Sequence, residues 1–398
     1  MTETHRGMRI AIIDMPMPIL FPQTVSQIGV NAKSYAESFS RLGHRPVVIH
    51  ARKIGKVESK ESYDKVSIRV LQHSSLLGKF VEEILYSLRV VMHLFHERKN
   101  GLDLVLSLNY SSVFLLSIIQ FGQELMHRTV VTHSGIEPKK SLLFGTISVF
   151  IKRYSLNKVM MVVAQSTAVK KAITKLYSLD PSKIVVESTA GVNTELFRPR
   201  DPVVAKTEVG FEEETKIILC VANFEVRKNQ LTLIRAFKNV LANHPECRLV
   251  LIGPTAEVRY FQKIQELVST EHMQSKVKIL GFIPNPSALV SYYNASDVFA
   301  LVSFAEGGVP RAVLEAMSCG RACVVSDIPE IEGLAAGSEA LLVNPRNPTE
   351  ISNALNLLIS DQDLRTKLGT RARIRAMSYD WSVLSSRLLR LASEHSSI

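Results

Sequence analysis

The sequence predicts an α/β protein built from two doubly wound parallel-sheet domains. Short β-branched runs alternate with amphipathic helical stretches along the chain, the pattern of a parallel sheet covered on both faces. The alternation restarts after a polar, proline-containing segment at residues 192–202. The length, 398 residues, accommodates two to three domains.

Residues 8–13, Met-Arg-Ile-Ala-Ile-Ile, form an apolar run of strand length. Residues 26–42 repeat apolar positions at helical spacing and stop at Gly43, which suits a helix C-terminus. Residues 45–49 give a second strand and residues 76–98 a long amphipathic helix. Residues 102–108 and 128–132 are strands, the second ending at His133, and residues 158–164 and 183–187 complete the first set. After the linker, residues 216–222 open a new sheet. Strands follow at 248–252, 277–280, 298–302 and 322–325, with helices between them that include 230–241 and 261–269. Two Rossmann-like domains of similar size would enclose a cleft, the usual place for a ligand.

Bulk properties narrow the function. A hydrophobic content of 46% supports real cores. No apolar run approaches the ~20 residues that span a bilayer. The first seven residues are polar and lead straight into a strand, so no signal peptide and a cytoplasmic location are expected. Cys220, Cys247, Cys319 and Cys323 lack paired CxxC spacing, which predicts buried thiols rather than disulfides or zinc. The net charge of +11 is unevenly placed: residues 1–198 carry 26 Lys and Arg against 15 Asp and Glu, and residues 199–398 carry 22 of each. An anionic surface or ligand is therefore expected at the first half. No zinc-finger, KH or RRM signature accompanies the charge, so nucleic acid is not an expected partner. Residues 142–151 are apolar and lie between Lys139-Lys140 and Lys152-Arg153. Two readings stand for them. One is a helix lying in an anionic membrane interface, assisted by Lys79, Arg89, Arg98 and Lys99 of the 76–98 helix; the other is an ordinary core-facing helix.

The chemistry concentrates in Ser303-Phe-Ala-Glu-Gly-Gly-Val-Pro-Arg-Ala-Val-Leu-Glu-Ala-Met-Ser-Cys-Gly320. This is a strand end, a glycine-rich loop and a helix start. Gly307 and Gly308 leave backbone N–H groups accessible, and a helix N-terminus favours an anion. Glu306 and Glu315 flank the loop and offer acceptors to sugar hydroxyls. Lys228, after the first strand of the second domain, can neutralise charge on a departing diphosphate. Asp361-Gln-Asp363 is a lone DxD in a polar stretch and reads as a helix start rather than a metal site.

Residues 191–199 (Gly-Val-Asn-Thr-Glu-Leu-Phe-Arg-Pro), 221–229 (Val-Ala-Asn-Phe-Glu-Val-Arg-Lys-Asn), 306–320 and 342–345 (Leu-Val-Asn-Pro) together resemble the GT-B glycosyltransferases of family four. These are retaining, metal-independent enzymes that use nucleotide-sugar donors. The resemblance spans nearly the whole chain and is strongest over residues 190–345. It implies an acceptor-binding domain at 1–198, a donor-binding domain at 199–375, and a terminal helix at 376–398 that returns to the first domain behind Trp381.

The resemblance also assigns roles. Lys228 would bind the donor diphosphate, Glu315 the nucleotide ribose and Glu306 the donor sugar. His133 would touch that sugar from the first domain. Gly29 resembles a phosphate-loop glycine, Gly253 a glycine near the nucleotide, and Phe282, after Gly281, a residue beside the base. Backbone around Gly307, Gly308 and Val309 would approach the diphosphate. Two departures stand out. Asn223 occupies the place of a family arginine, and Arg227 is expected to supply the missing charge. Eight residues, not seven, separate Glu306 from Glu315, an insertion expected to be absorbed at Gly307 and Gly308. The implied activity is transfer of a hexose-type sugar to a glycan or lipid-linked acceptor in cell-envelope or polysaccharide biosynthesis. It needs no cofactor, and the enzyme would be cytoplasmic or peripheral on the inner membrane face. The alternative is a catalytically inactive GT-B protein that binds glycan or nucleotide sugar.

Overall fold

The computed structural model describes residues 7–14, 25–52, 64–69, 76–108, 117, 122–133, 142–334 and 338–396. The chain divides into two units, residues 1–189 with 381–398, and residues 190–380.

In the first unit the order is β1 (Arg9–Asp14), α1 (Val25–Arg41), β2 (Arg45–Arg52), β3 (Asp64–Arg69), α2 (Leu76–Lys99), β4 (Leu102–Ser107), α3 (Gly122–Met126), β5 (Thr129–His133), α4 (Leu142–Leu156), β6 (Met161–Ala164), α5 (Thr167–Tyr177) and β7 (Ile184–Val186). Among the described residues these strands form one seven-stranded sheet, ordered β3-β2-β1-β4-β5-β6-β7. Neighbouring strands pair in parallel. The apolar strands need both faces covered, and side chains alternate between them. From β1, Ile10 and Ile12 join Tyr35 and Phe39 of α1, while Ala11 and Ile13 join Val90 and Leu94 of α2.

The last helix, α13 (Trp381–Ser396), belongs to this first unit, as the sequence suggested. Trp381 packs edge-on against Tyr35 at 5.0 Å between ring centroids, and Ser38 Oγ donates to the Trp381 carbonyl at 3.0 Å. Leu384 and Leu388 extend the same buried face.

One expectation about α4 changes. Lys152, read as part of a basic flank, is buried, with its ammonium 6.0 Å from the Tyr177 ring centroid. Its charge therefore faces that ring rather than the outer face of the helix. Lys139 and Lys140 lie outside the described residues. Among the described residues no helix is long and apolar enough to cross a membrane.

The second unit contains α6 (Pro202–Glu208), β8 (Ile217–Val221), α7 (Gln230–Asn243), β9 (Arg248–Ile252), α8 (Val258–Thr270), β10 (Val277–Leu280), α9 (Pro286–Ala295), β11 (Val298–Leu301), α10 (Arg311–Ser318), β12 (Ala322–Ser326), β13 (Leu341–Val343), α11 (Pro348–Ser360) and α12 (Gln362–Met377). Its sheet is parallel, ordered β10-β9-β8-β11-β12-β13. All four cysteines are buried free thiols in this unit, and burial pushes those of Cys220, Cys247 and Cys319 up to about 12.

The segment read as a linker is built into this unit rather than left loose. Val192 donates its N–H to the Tyr379 carbonyl at 3.0 Å, and Thr194 Oγ1 donates to Asp380 Oδ2 at 2.7 Å. Arg373 reaches the carbonyls of Phe197 (3.0 Å), Ser318 (2.8 Å) and Thr194 (3.1 Å). A polar segment without regular structure is fixed here because its carbonyls find a guanidinium. Asp361, the first residue of the lone DxD, caps α12 by accepting from Leu364 N–H at 2.8 Å.

Candidate functional site

The strand order of the second unit sets the site. The chain steps outward from β8 to β9 and β10, then returns to lay β11 on the other side of β8. Loops leaving the carboxyl ends of two such neighbours run to opposite sides and open a crevice, the ligand position in open parallel sheets. The loop after β8 carries Lys228, and the loop after β11 carries Glu306.

These two side chains meet. Lys228 Nζ donates to Glu306 Oε1 at 2.5 Å, and both side chains are less than a tenth exposed. Arg227 Nη1 donates to Glu306 Oε2 at 2.9 Å and to the Ala305 carbonyl at 3.2 Å. Its Nη2 donates to Glu225 Oε1 at 2.6 Å. One carboxylate therefore holds two cations, the outer of which shares a second carboxylate. Burial alone would raise Glu306, but Lys228 and Arg227 outweigh it and hold the carboxyl below the ordinary range.

The backbone makes this geometry possible. Val226–Lys228 is a single 3₁₀ turn, and Asn229 follows in the left-handed region at φ 58°. Asparagine tolerates that conformation better than most residues. Its buried Nδ2 donates to the carbonyls of Val302 (2.9 Å) and Pro345 (2.8 Å), while Phe304 N–H donates to the Arg227 carbonyl at 2.9 Å. The two loops are thus tied together at the backbone, which presents Lys228 to Glu306.

Glu315 lies on α10 and its surroundings differ. It is buried and accepts from the Tyr293 hydroxyl at 2.7 Å through Oε2. Burial pushes its carboxyl up; Arg311 and the tyrosine hydrogen bond oppose that push without cancelling it. Helix α10 begins behind Pro310 with no side-chain cap, and the Pro310 carbonyl accepts from Val313 N–H at 3.0 Å and Leu314 N–H at 3.1 Å.

The remaining sequence-derived residues are placed as follows. Gly307 and Gly308 precede Pro310, and Val309 beside them is buried. Gly307 and Gly308 are absent from the positive-φ glycines, so the longer Glu306–Glu315 spacing is absorbed without a left-handed turn. Asn223 accepts through its backbone carbonyl from Gln230 Nε2 at 2.8 Å. Gly253 follows β9, and a Cβ there would fall 1.9 Å from the Ala222 carbonyl oxygen. Close approach of the backbones leaving β8 and β9 is a sufficient reason for glycine at that position. Phe282, after β10, is 61% exposed, and Gly281 beside it faces open space.

His133 and Gly29 belong to the first unit. His133 closes β5. Gly29 lies inside α1, so the loop setting expected for it is not what the structure has; the helical periodicity of residues 26–42 prevails over the glycine. Sequence reasoning passed over Glu225, Asn229 and Tyr293. Asn229 was legible only as a residue suited to positive φ, and Tyr293 only as a tyrosine in an apolar helix whose hydroxyl must find a partner.

Comparison with known proteins follows from this architecture. Residues 205–375, most of the second unit, match the family model described as glycosyl transferases group 1. A D-inositol 3-phosphate glycosyltransferase of Corynebacterium glutamicum (strain R) is 27% identical over 55% of this chain and 53% of its own length. An N-acetyl-alpha-D-glucosaminyl L-malate synthase of Bacillus anthracis is 26% identical over 62% of this chain and 61% of its own. The chain thus matches little more than half the length of these relatives. Among solved structures, a glycosyltransferase of Rickettsia africae superimposes with a TM-score of 0.74 at 19% identity, covering 98% of this chain and 99% of that one. Anabaena Alr3699/HepE in complex with UDP superimposes with a TM-score of 0.76 at 18% identity, covering 97% and 100%. The fold is GT-B.

Proposed function

We propose that the protein is a retaining glycosyltransferase that takes a hexose-type sugar from a nucleoside-diphosphate donor bound at the second unit. The observation that carries this is the convergence of Lys228, Arg227 and Glu306 where the loops after β8 and β11 meet. In this reading Lys228 and Arg227 receive the diphosphate and stabilise the charge that develops as it leaves. Arg227 supplies the cation that Asn223 lacks. Glu306 exchanges its hold on the cations for hydroxyls of the donor sugar, and Glu315 accepts from the ribose. N–H groups at the start of α10, with Gly307, Gly308 and Val309, approach the diphosphate. In this reading Gly253 and Phe282 serve the nucleotide, and His133 serves the sugar. The HepE structures solved with UDP and with UDP-glucose support a nucleotide-sugar donor. The chemistry is carried by protein cations and N–H groups.

The acceptor in this reading is a glycan or a lipid-linked sugar, in the assembly of cell-envelope or other polysaccharide. Met92 (70% exposed) and Phe150 (69%) lie in the unit that carries the excess positive charge, which favours work at an anionic membrane surface. Flotation with anionic liposomes at low salt tests that point, and a protein left in the pellet rejects it.

The function itself is tested by thermal shift with UDP-, GDP- and ADP-sugars on wild type and Lys228→Ala, followed by donor hydrolysis. Stabilisation by one nucleotide, lost in the variant, supports the donor site. Stabilisation without hydrolysis or transfer would favour a nucleotide-sugar binding protein on the same fold.

A further inference from the structure

Tyr293 has no solvent exposure, and its ring is held between Phe197 and Phe299, each at 5.8 Å between centroids. Burial and the nearby Glu315 raise its phenol well above the ordinary value, so the hydroxyl keeps its proton. It is therefore the donor in its 2.7 Å bond to Glu315 Oε2. A carboxylate on a short helix has rotational freedom about its last torsion. Here Oε2 is held by a hydroxyl whose ring is packed between two others.

We infer that Tyr293 is a positioning residue for the donor nucleotide, acting through Glu315 to present a fixed carboxylate to the ribose hydroxyls. The inference rests on the proposed donor site. Its alternative is a polar pair that merely satisfies two buried groups in the core. The charged or titratable groups around the pair are Arg311 on α10, Cys319 just after it and Cys220 on β8; Arg321 and Arg373 face Cys319 in turn.

The test is calorimetric titration of wild type and Tyr293→Phe with UDP, GDP and ADP, then with the 2′,3′-dideoxy form of whichever binds. Phenylalanine preserves the ring packing and removes only the hydroxyl. Wild type should prefer the ribonucleotide about tenfold or more, as expected for hydrogen bonds to a charged acceptor. Tyr293→Phe should lose most of that preference while binding the dideoxy form unchanged. The hydroxyl opposes the upward push of burial on Glu315, so its removal should move the acid loss of ribonucleotide affinity to higher pH. Glu315→Gln, which removes the titration, should flatten that profile and gives a second route if Tyr293→Phe folds poorly. A Tyr293→Phe protein with wild-type preference and pH profile overturns the inference, as does an unflattened profile in Glu315→Gln. Binding of none of the three diphosphates by wild type overturns the donor-site reading and this inference with it.

Discussion

Glu306 and Glu315 sit on one loop-and-helix segment, both buried at the side chain, yet their surroundings drive them in opposite directions. Glu306 answers two cations and is held below the ordinary carboxylate range. Glu315 answers a neutral hydroxyl and is pushed above it by burial, although Arg311 lies near enough to oppose the shift. Desolvation acts on both, and the partner decides the outcome. Paired titratable groups whose environments separate them are a mark of functional sites as well as of structural ion pairs. The contrast assigns different tasks. In the proposed function Glu306 holds the cations a diphosphate would take over, and Glu315 is the acceptor for the ribose.

The comparison breaks most visibly when the inner cation is removed. Lys228→Ala takes away the 2.5 Å partner of Glu306 and leaves it the cation of Arg227, whose side chain is 41% exposed. Loss of one charge-stabilising donor at a developing anion typically costs about 10²–10³ in turnover. Donor hydrolysis or transfer should fall by that factor, and an activity within a few-fold of wild type would remove Lys228 from the chemistry.

Stability against pH sharpens the contrast without any substrate. Glu306 has a depressed folded value, so its stabilisation is present above the ordinary glutamate value of about 4.3 and is lost as pH falls through the folded value. Glu306→Gln at pH 7 strands a buried lysine and should cost about 3 kcal/mol. For a unit of this size that is a fall in Tm of about 6–12 °C. Glu315 has a raised folded value, so its ionised form costs stability above that value, and the cost vanishes as pH falls through it toward the ordinary one. Glu315→Gln should therefore leave the protein as stable as wild type or more so at pH 7–8, with the gap closing in acid. Melting curves of both variants between pH 5 and pH 8 check the pair; a shift of the same sign in both would end the contrast.

The same two glutamates measure how far the sequence could be read. Both were identifiable from the strand, glycine loop and helix start around them, and Lys228 from its place after β8. The contact between Lys228 and Glu306 was not identifiable, because the two residues lie 78 positions apart and meet only when β8 and β11 become neighbours. Nor was Tyr293, whose bond to Glu315 joins two helices that share no sequence period. In the first unit the near-continuous apolar strands β1, β4 and β6 announced themselves. Edge strand β3, Asp-Lys-Val-Ser-Ile-Arg, carries only two apolar residues and did not. Gly253 carries a second constraint that the sequence does not show: a Cβ there would fall 1.9 Å from the Ala222 carbonyl oxygen, which by itself requires glycine. Residues that meet only through topology stay silent in the sequence.

The smallest effect tests whether Arg227 belongs to the pair or merely borders it. Its bonds to Glu306 and Glu225 are partly open to solvent, and exposed ion pairs contribute about 0.2–1 kcal/mol. Arg227→Gln should therefore lower Tm by no more than about 4 °C, far less than Glu306→Gln. Its effect on ligand should be larger in proportion. If Arg227 stands in for the cation that Asn223 lacks, nucleoside-diphosphate affinity should fall several-fold in Arg227→Gln and recover in part when arginine is placed at position 223. The two measurements separate the roles. A stability change without an affinity change makes Arg227 a brace for Glu306, and an affinity change rescued from position 223 makes it a diphosphate ligand.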